Sequence, residues 1–275
     1  MKYKGFYPPP SKTTAGRYGK GNDGRRRFSF STEWLGISPV TVYNIIMPIH
    51  KTVNKDFFKT WSPEMAYVLG FFAADGSMLE NNRGAHFIEF HITDLEVIKI
   101  IQKALGSNHT ISKRNLNNKW KTLYRLQIGS KEMFSDLENI GFTQAKSKKM
   151  RLPKIPKEFL ADFVRGYFDG DGCVYFKQHK VKNRKKPKWI FSSRFTSGSK
   201  FFLEDIHEAL YGVVQKGFIV TKKRDKEVHA YELVFSHRDS LALFHFLYNN
   251  NSYGLRLTRK YKLFKKAVKT LYGVK

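Results

Sequence analysis

The sequence predicts an α+β fold of two tandem αββαββα repeats, with helices on one face of an antiparallel sheet in each repeat. Three observations predict it. The first is repetition in a constant order. Val68-Leu-Gly-Phe-Phe-Ala-Ala-Asp-Gly76 matches Val164-Arg-Gly-Tyr-Phe-Asp-Gly-Asp-Gly172, Lys103-Ala-Leu-Gly106 matches Glu208-Ala-Leu-Tyr-Gly212, and Tyr124-Arg-Leu-Gln-Ile-Gly-Ser matches Tyr231-Glu-Leu-Val-Phe-Ser-His. The second is alternation: Ile88, Phe90 and Ile92 share one face of a strand, while Glu89, His91 and Thr93 share the other. The third is material. A chain of 275 residues, 41% hydrophobic and 15% aromatic, can fill the cores of two domain-sized units.

The elements follow in order. A helix over 63–74 ends in Asp-Gly, strands over 77–80 and 86–93 pair behind it, and a helix spans 94–105 with Asp94 as its N-cap. Strands over 109–113 and 122–128 and a helix over 131–139 complete the first repeat. Pro153 and Pro156 punctuate the connection. The second repeat runs as a helix over 157–170, strands over 173–179 and 189–196, a helix over 199–211, strands over 216–221 and 229–235, and a helix over 238–248. Its extra length falls mainly in a basic loop at 180–188.

Four stretches result: a basic flexible arm over 1–30, a lead-in over 31–61, a first subdomain over 62–150 and a second over 151–275. The arm mixes Pro8–Pro10 and Gly16, Gly19, Gly21 and Gly24 with Lys12, Arg17, Lys20 and Arg25–Arg27, a composition suited to lying along a polyanion. In the lead-in, Leu35-Gly-Ile-Ser38 followed by Thr41-Val-Tyr-Asn44 is patterned like the turn and second helix of a helix-turn-helix, with a plain helical lead-in as the alternative.

Fifty Lys+Arg against twenty-three Asp+Glu leave a net charge of +27 and a pI near 10.0, pointing to a polyanionic partner. No apolar run approaches the roughly 18–20 residues that a bilayer crossing needs. The N-terminus has no apolar signal region, so the expected location is intracellular, in cytoplasm, nucleoid or an organelle. The single cysteine, Cys173, allows neither an internal disulfide nor a cysteine-based zinc site.

The two Asp-Gly helix ends are where chemistry is expected. Glycine there takes the left-handed conformation that follows a C-cap. The carboxylates of Asp75 and Asp171, however, stand at the negative ends of helix dipoles, where a carboxylate is disfavoured. A divalent cation reverses that sign, since hard metals take carboxylate and carbonyl oxygens together. The expected metal set is therefore Asp75 and Asp171 with the adjacent Ala74 and Gly170. Gly70 and Gly166, with nearby alanines, are small enough to let the two helices pack closely, which would bring both acids to one place. Two carboxylates sharing metal ions can clamp the attacking and leaving oxygens of a phosphodiester.

Val68–Gly76 and Val164–Gly172 resemble the paired signature helices of the LAGLIDADG homing endonucleases, in the single-chain form with two motifs, and the resemblance covers about residues 62–270. It implies a pseudo-twofold homing-endonuclease fold in which two antiparallel sheets form a DNA-binding saddle. It also implies double-strand cleavage of a long, specific DNA site with Mg²⁺ or Mn²⁺, by a monomer. The family's metal carboxylate is the eighth motif position, here Asp75 and Asp171. The often acidic sixth position is Ala73 in one copy and Asp169 in the other; Asp169 is expected to cap or pack. A basic residue near the scissile phosphates corresponds to Lys146 and, in the second repeat, to Lys260, with a plain phosphate contact as the alternative.

Base readout then falls to the free sheet faces. Arg125 and Gln127 oppose the inward Tyr124, Leu126 and Ile128; Tyr175, Lys177 and His179, and Ser192 and Arg194, alternate away from inward phenylalanines. Lys222 and Arg224, in a basic loop, are expected on phosphates. Two other readings stay open at this stage: a maturase that binds intron RNA on the same fold, and a non-catalytic DNA-binding regulator.

Overall fold

Ser62 starts the ordered core by accepting a hydrogen bond from the backbone N–H of Met65, with Pro63 occupying the first helical turn, where its missing N–H costs nothing. The computed structural model describes residues 50–114, 122–144, 148–180, 186–224, 227–249 and 254–273. The helix-turn-helix-like pattern at 35–44, the arm at 1–30 and Lys146 lie outside them.

Helix α1 (Pro63–Asp75) is buried on every side from Met65 to Ala73, as expected of a helix that is apolar all round. Strands β1 (Gly76–Glu80) and β2 (His86–Ile92) follow, then α2 (Leu95–Ala104), β3 (Ser112–Arg114), β4 (Leu123–Gly129) and α3 (Lys131–Ile140). After a single 3₁₀ turn at Lys157–Phe159, the second half repeats the plan: α4 (Leu160–Asp171), β5 (Gly172–His179), β6 (Lys188–Ser197), α5 (Lys200–Ala209), β7 (Phe218–Arg224), β8 (Glu227–Ser236) and α6 (His237–Tyr248). Each half is a four-stranded antiparallel sheet, ordered β1-β2-β4-β3 in the first and β5-β6-β8-β7 in the second. The alternation sorts the faces: Ile88, Phe90, Leu126 and Ile128 point into the core in one half, and Phe191, Phe195, Leu233 and Phe235 in the other. The α+β repeat is thus present, and no helix among the described residues is long and apolar enough to cross a membrane.

Three features differ from the sequence expectation. The strand expected over 109–113 is only β3, and His109 sits in a loop whose carbonyl accepts from Gln102 Nε2 at 2.6 Å. A further helix, α7 (Thr258–Tyr272), closes the chain, burying Lys260, Phe264, Ala267 and Val268 along one stripe. Finally, neither motif glycine is left-handed. Gly76 has φ −92° and Gly172 φ −85°, both extended and open to any residue. Their reason is space: a Cβ on Gly76 would lie 2.2 Å from the Phe72 ring, and one on Gly172 2.3 Å from the Phe168 ring. At both helix ends the chain turns into a strand across the face of a core phenylalanine.

Candidate functional site

Helices α1 and α4 lie against each other through glycine. A Cβ on Gly70 would fall 2.0 Å from the Phe163 carbonyl oxygen, and one on Gly166 would fall 2.0 Å from that of Tyr67. Phe163 and Tyr67 occupy the same position in the two copies, so the contact is reciprocal, as an axis of pseudo-twofold symmetry requires. The expected roles of Gly70 and Gly166 as interface residues thus have a direct geometric basis.

The contact continues to the helix ends. A Cβ on Gly170 would meet the Ala74 Cβ at 2.4 Å and lie 3.3 Å from Asp75 Oδ2. Asp75 and Asp171 act together electrostatically on Tyr167 and on Lys260. The structure therefore gathers Ala74, Asp75, Gly170 and Asp171 at one point, where each aspartate is partly exposed. Among the described residues no group of three or more His, Cys, Asp or Glu could hold a metal ion. A cation here would rest on two carboxylates and the Ala74 carbonyl, an all-oxygen set that suits Mg²⁺ or Mn²⁺.

Lys260 reaches the same place from α7. It is 8% exposed, and its ammonium donates to the carbonyls of Phe168 (2.8 Å), Asp169 (2.8 Å) and Gly170 (2.9 Å). An ammonium has three protons, so all are committed to the last turn of α4, where a cation complements the helix dipole. Burial lowers its pKa to about 8, against the attraction of nearby acids. In this arrangement Lys260 acts on the helix end that carries Asp171.

Asp169 is sunk beside it, 2% exposed, accepting from the Tyr67 hydroxyl (2.9 Å) and the Leu257 N–H (2.7 Å). Burial raises its pKa to about 6 against those bonds, and its other oxygen has no hydrogen-bond partner among the described residues. It packs at the helix end, the role expected from sequence. Around it, Arg165 donates to the carbonyls of Leu255 (2.8 Å) and Leu247 (3.0 Å) and pairs with Asp162. Arg259 Nε donates to Asp94 Oδ2 at 3.1 Å, and Thr258 bonds Glu96. The segment entering α7 thereby ties α4 to the N-terminus of α2 in the other half. Asp94 also caps α2 as expected, accepting from the Glu96 N–H.

The polar sheet faces carry the remaining candidates. In the first sheet Arg125 and Gln127 face out beside His91, and Tyr124 is only half-buried. In the second, Tyr175 hydrogen-bonds His179, the Lys177 ammonium stands 6.0 Å above the Tyr175 ring, and Ser192 pairs with Tyr175 in register. Arg194 and Lys222 both approach Glu232, at 3.6 and 3.1 Å. Lys222 is thus on the sheet rather than in a loop, and Arg224 holds the last position of β7. The residues that sequence reasoning passed over are Glu89 and Glu232. The available signal was a carboxylate at a polar-face position in a chain with more than twice as many bases as acids.

The comparisons agree with this geometry. The model of the LAGLIDADG-like domain matches residues 62–141 and 158–247. An uncharacterized protein of Methanocaldococcus jannaschii is 22% identical over 82% of this chain and 74% of its own length. The replication factor C small subunit of the same organism is 25% identical over 67% of this chain, which spans only 9% of that protein. Among solved structures, meganuclease I-SmaMI bound to uncleaveable DNA superposes with a TM-score of 0.52 at 14% identity, covering 76% of this chain and 88% of that one. I-SmaMI bound to an uncleaved DNA target in the presence of calcium ions gives 0.50 at 14%, covering 77% and 92%. With two copies of the domain model spanning most of its length and the paired-helix fold of a homing endonuclease, this chain belongs to the LAGLIDADG family.

Proposed function

We propose that the protein is a site-specific endonuclease that cuts both strands of duplex DNA as a monomer, with one aspartate from each motif serving one strand. The observation that carries this reading is the meeting of Asp75 and Asp171 at the abutting ends of α1 and α4 in a chain of net charge +27. Asp75, Asp171 and the carbonyl of Ala74 would hold Mg²⁺ or Mn²⁺, which supplies Lewis acidity toward the phosphodiester when bound, whereas the Gly170 carbonyl, expected in the same set, already accepts from the Lys260 ammonium. The chain's own part is positioning. The glycine contacts of Gly70 and Gly166 fix the spacing of the two acids, and Lys260 holds the turn of α4 from which Asp171 projects. Lys146, outside the described residues, is the first repeat's candidate for the basic residue near the scissile phosphates.

Readout is assigned to Arg125 and Gln127 in the first half and to Tyr175, Lys177, His179, Ser192 and Arg194 in the second, with Lys222 and Arg224 on phosphates. Arginine to guanine and glutamine to adenine are the usual major-groove pairings. That DNA-bound relatives share the paired-helix fold supports this reading. The test is a randomised duplex library incubated with Mg²⁺ and wild type, Asp75→Asn or Asp171→Asn. Wild type is expected to make double-strand cuts at selected sequences, and each variant to lose them. An inert wild type, or a variant that still cuts both strands, would sink the proposal. Tighter binding to a folded intron RNA than to any duplex would favour the maturase reading.

A further inference from the structure

The two polar sheet faces carry the same ion pair with its sign reversed. Register defines equivalent positions: Gly76 pairs with Phe90 as Gly172 pairs with Phe195, and Phe90 pairs with Leu126 as Phe195 pairs with Leu233. Glu89 on β2 therefore corresponds to Arg194 on β6, and Arg125 on β4 corresponds to Glu232 on β8. In the first sheet Glu89 pairs with Arg125; in the second Arg194 pairs with Glu232. The pair crosses the same two central strands on the same diagonal in both, with acid and base exchanged.

Exposure is matched as well. The acid side chains are 7% and 12% exposed and their arginines 39% and 38%. Each carboxylate lies low between the strands while its arginine side chain is more than a third exposed, although Arg125 Nε is itself buried and without a hydrogen-bond partner among the described residues. Each also takes further partners from its own face. Glu89 accepts from Gln127 Nε2 at 2.7 Å and bonds His91 Nε2 at 2.8 Å, and Glu232 takes Lys222 at 3.1 Å. Burial pushes the Glu89 carboxyl up, but the bonds from Arg125 and His91 outweigh it and hold it below the usual range, so it is ionised.

A carboxylate beneath a surface meant for a polyanion weakens phosphate attraction, so its benefit must lie elsewhere. What it does provide is orientation. A guanidinium has five donors in a fixed fork, so the bond from Arg125 Nη2 to Glu89 aims the rest, while Arg194, 3.6 Å from Glu232, is held by charge. Glu89 holds an arginine and a glutamine at once, the two side chains best suited to guanine and adenine edges.

Resting on the proposed DNA-binding role of these faces, we infer that Glu89 and Glu232 are positioning residues for base specificity, each fixing the reading side chains of its own sheet. With the signs exchanged, the aimed arginine comes from β4 in one half and from β6 in the other, and so addresses different base pairs of the two half-sites.

The test is binding selection from a randomised duplex library by wild type, Glu89→Gln, Glu232→Gln and the exchange Glu89→Arg/Arg125→Glu, with thermal melting of each. Glu89→Gln is expected to lose about tenfold in discrimination at base pairs under the first sheet alone. Glu232→Gln should do the same under the second sheet, and both should bind unselected duplex at least as tightly as wild type. The exchange rebuilds the second sheet's polarity in the first. It should melt near wild type and move the preferred bases. Unchanged preferences in both single variants, or a loss spread evenly over the site with a lower melting temperature, would overturn the inference. If wild type enriches no sequence, the reading of these faces as DNA readers fails first, and this inference with it.

Discussion

Asp169 and Lys260 show how much of the site is held from below. The Asp169 carboxyl titrates near 6 in the folded chain, because burial disfavours its charge, against 3.8 as the ordinary value. A raised carboxyl pKa means that the folded state binds the proton more tightly, so ionisation costs stability above about pH 6. That cost fades as pH falls from the folded value toward the ordinary one. The shift corresponds to about 2–3 kcal/mol at neutral pH. Asp169→Asn keeps an acceptor for Tyr67 and Leu257 and removes the charge. It should therefore be as stable as wild type or more so at pH 7.5, with the advantage shrinking toward pH 4.5. Asp169→Ala leaves both donors unpaired in a buried site and should lose about 1–3 kcal/mol. Urea denaturation across that pH range reads both; a pH-independent gap between Asp169→Asn and wild type would contradict the assignment.

The elements that matter most are α1 and α4, whose reciprocal glycine contacts put backbone against backbone. Gly70→Ala and Gly166→Ala each drive a methyl into a carbonyl that belongs to a core helix and cannot swing aside. Each should cost about 1–3 kcal/mol by overpacking, with similar values because the two sites are pseudo-equivalent. Equilibrium unfolding measures this, and a neutral effect at either position would show that the helices can separate more easily than their packing implies. Much of this was legible: small residues at Gly70 and Gly166 announced a close helix pair, and the alternation around Phe90 announced its strand. Helix α7 was not recognised, although Phe264, Ala267 and Val268 form its apolar stripe, because five lysines and an arginine among its 15 residues dilute the pattern.

At the scale of the whole molecule, the charge excess is distributed over a duplicated frame. The halves share strand order and register, yet each bears its own polar side chains, so their half-sites are expected to differ. A face with this many cations releases counterions when it meets duplex DNA. The logarithm of affinity for an unselected duplex should fall linearly with the logarithm of salt concentration, by about a thousandfold or more between 50 and 200 mM. Salt titration by fluorescence anisotropy checks it, and a flat profile would remove phosphate contact as the source of the basic composition.

The sequence by itself determined the duplication, the strand and helix periods, the paired helices and the positions of Asp75 and Asp171. These are local patterns, set by which residues recur at spacings of two or about three and a half. Tertiary structure alone decided where side chains from distant segments meet. It showed that Gly76 and Gly172 are needed for space over a phenylalanine rather than for a left-handed turn. It showed that Lys260 ends on the carbonyls of α4, and that Glu89 and Glu232 hold arginines across neighbouring strands. Those facts depend on register and on which element packs over which, and a one-residue slip of the strand that carries Glu89 or Glu232 would send that glutamate to the opposite face of its sheet.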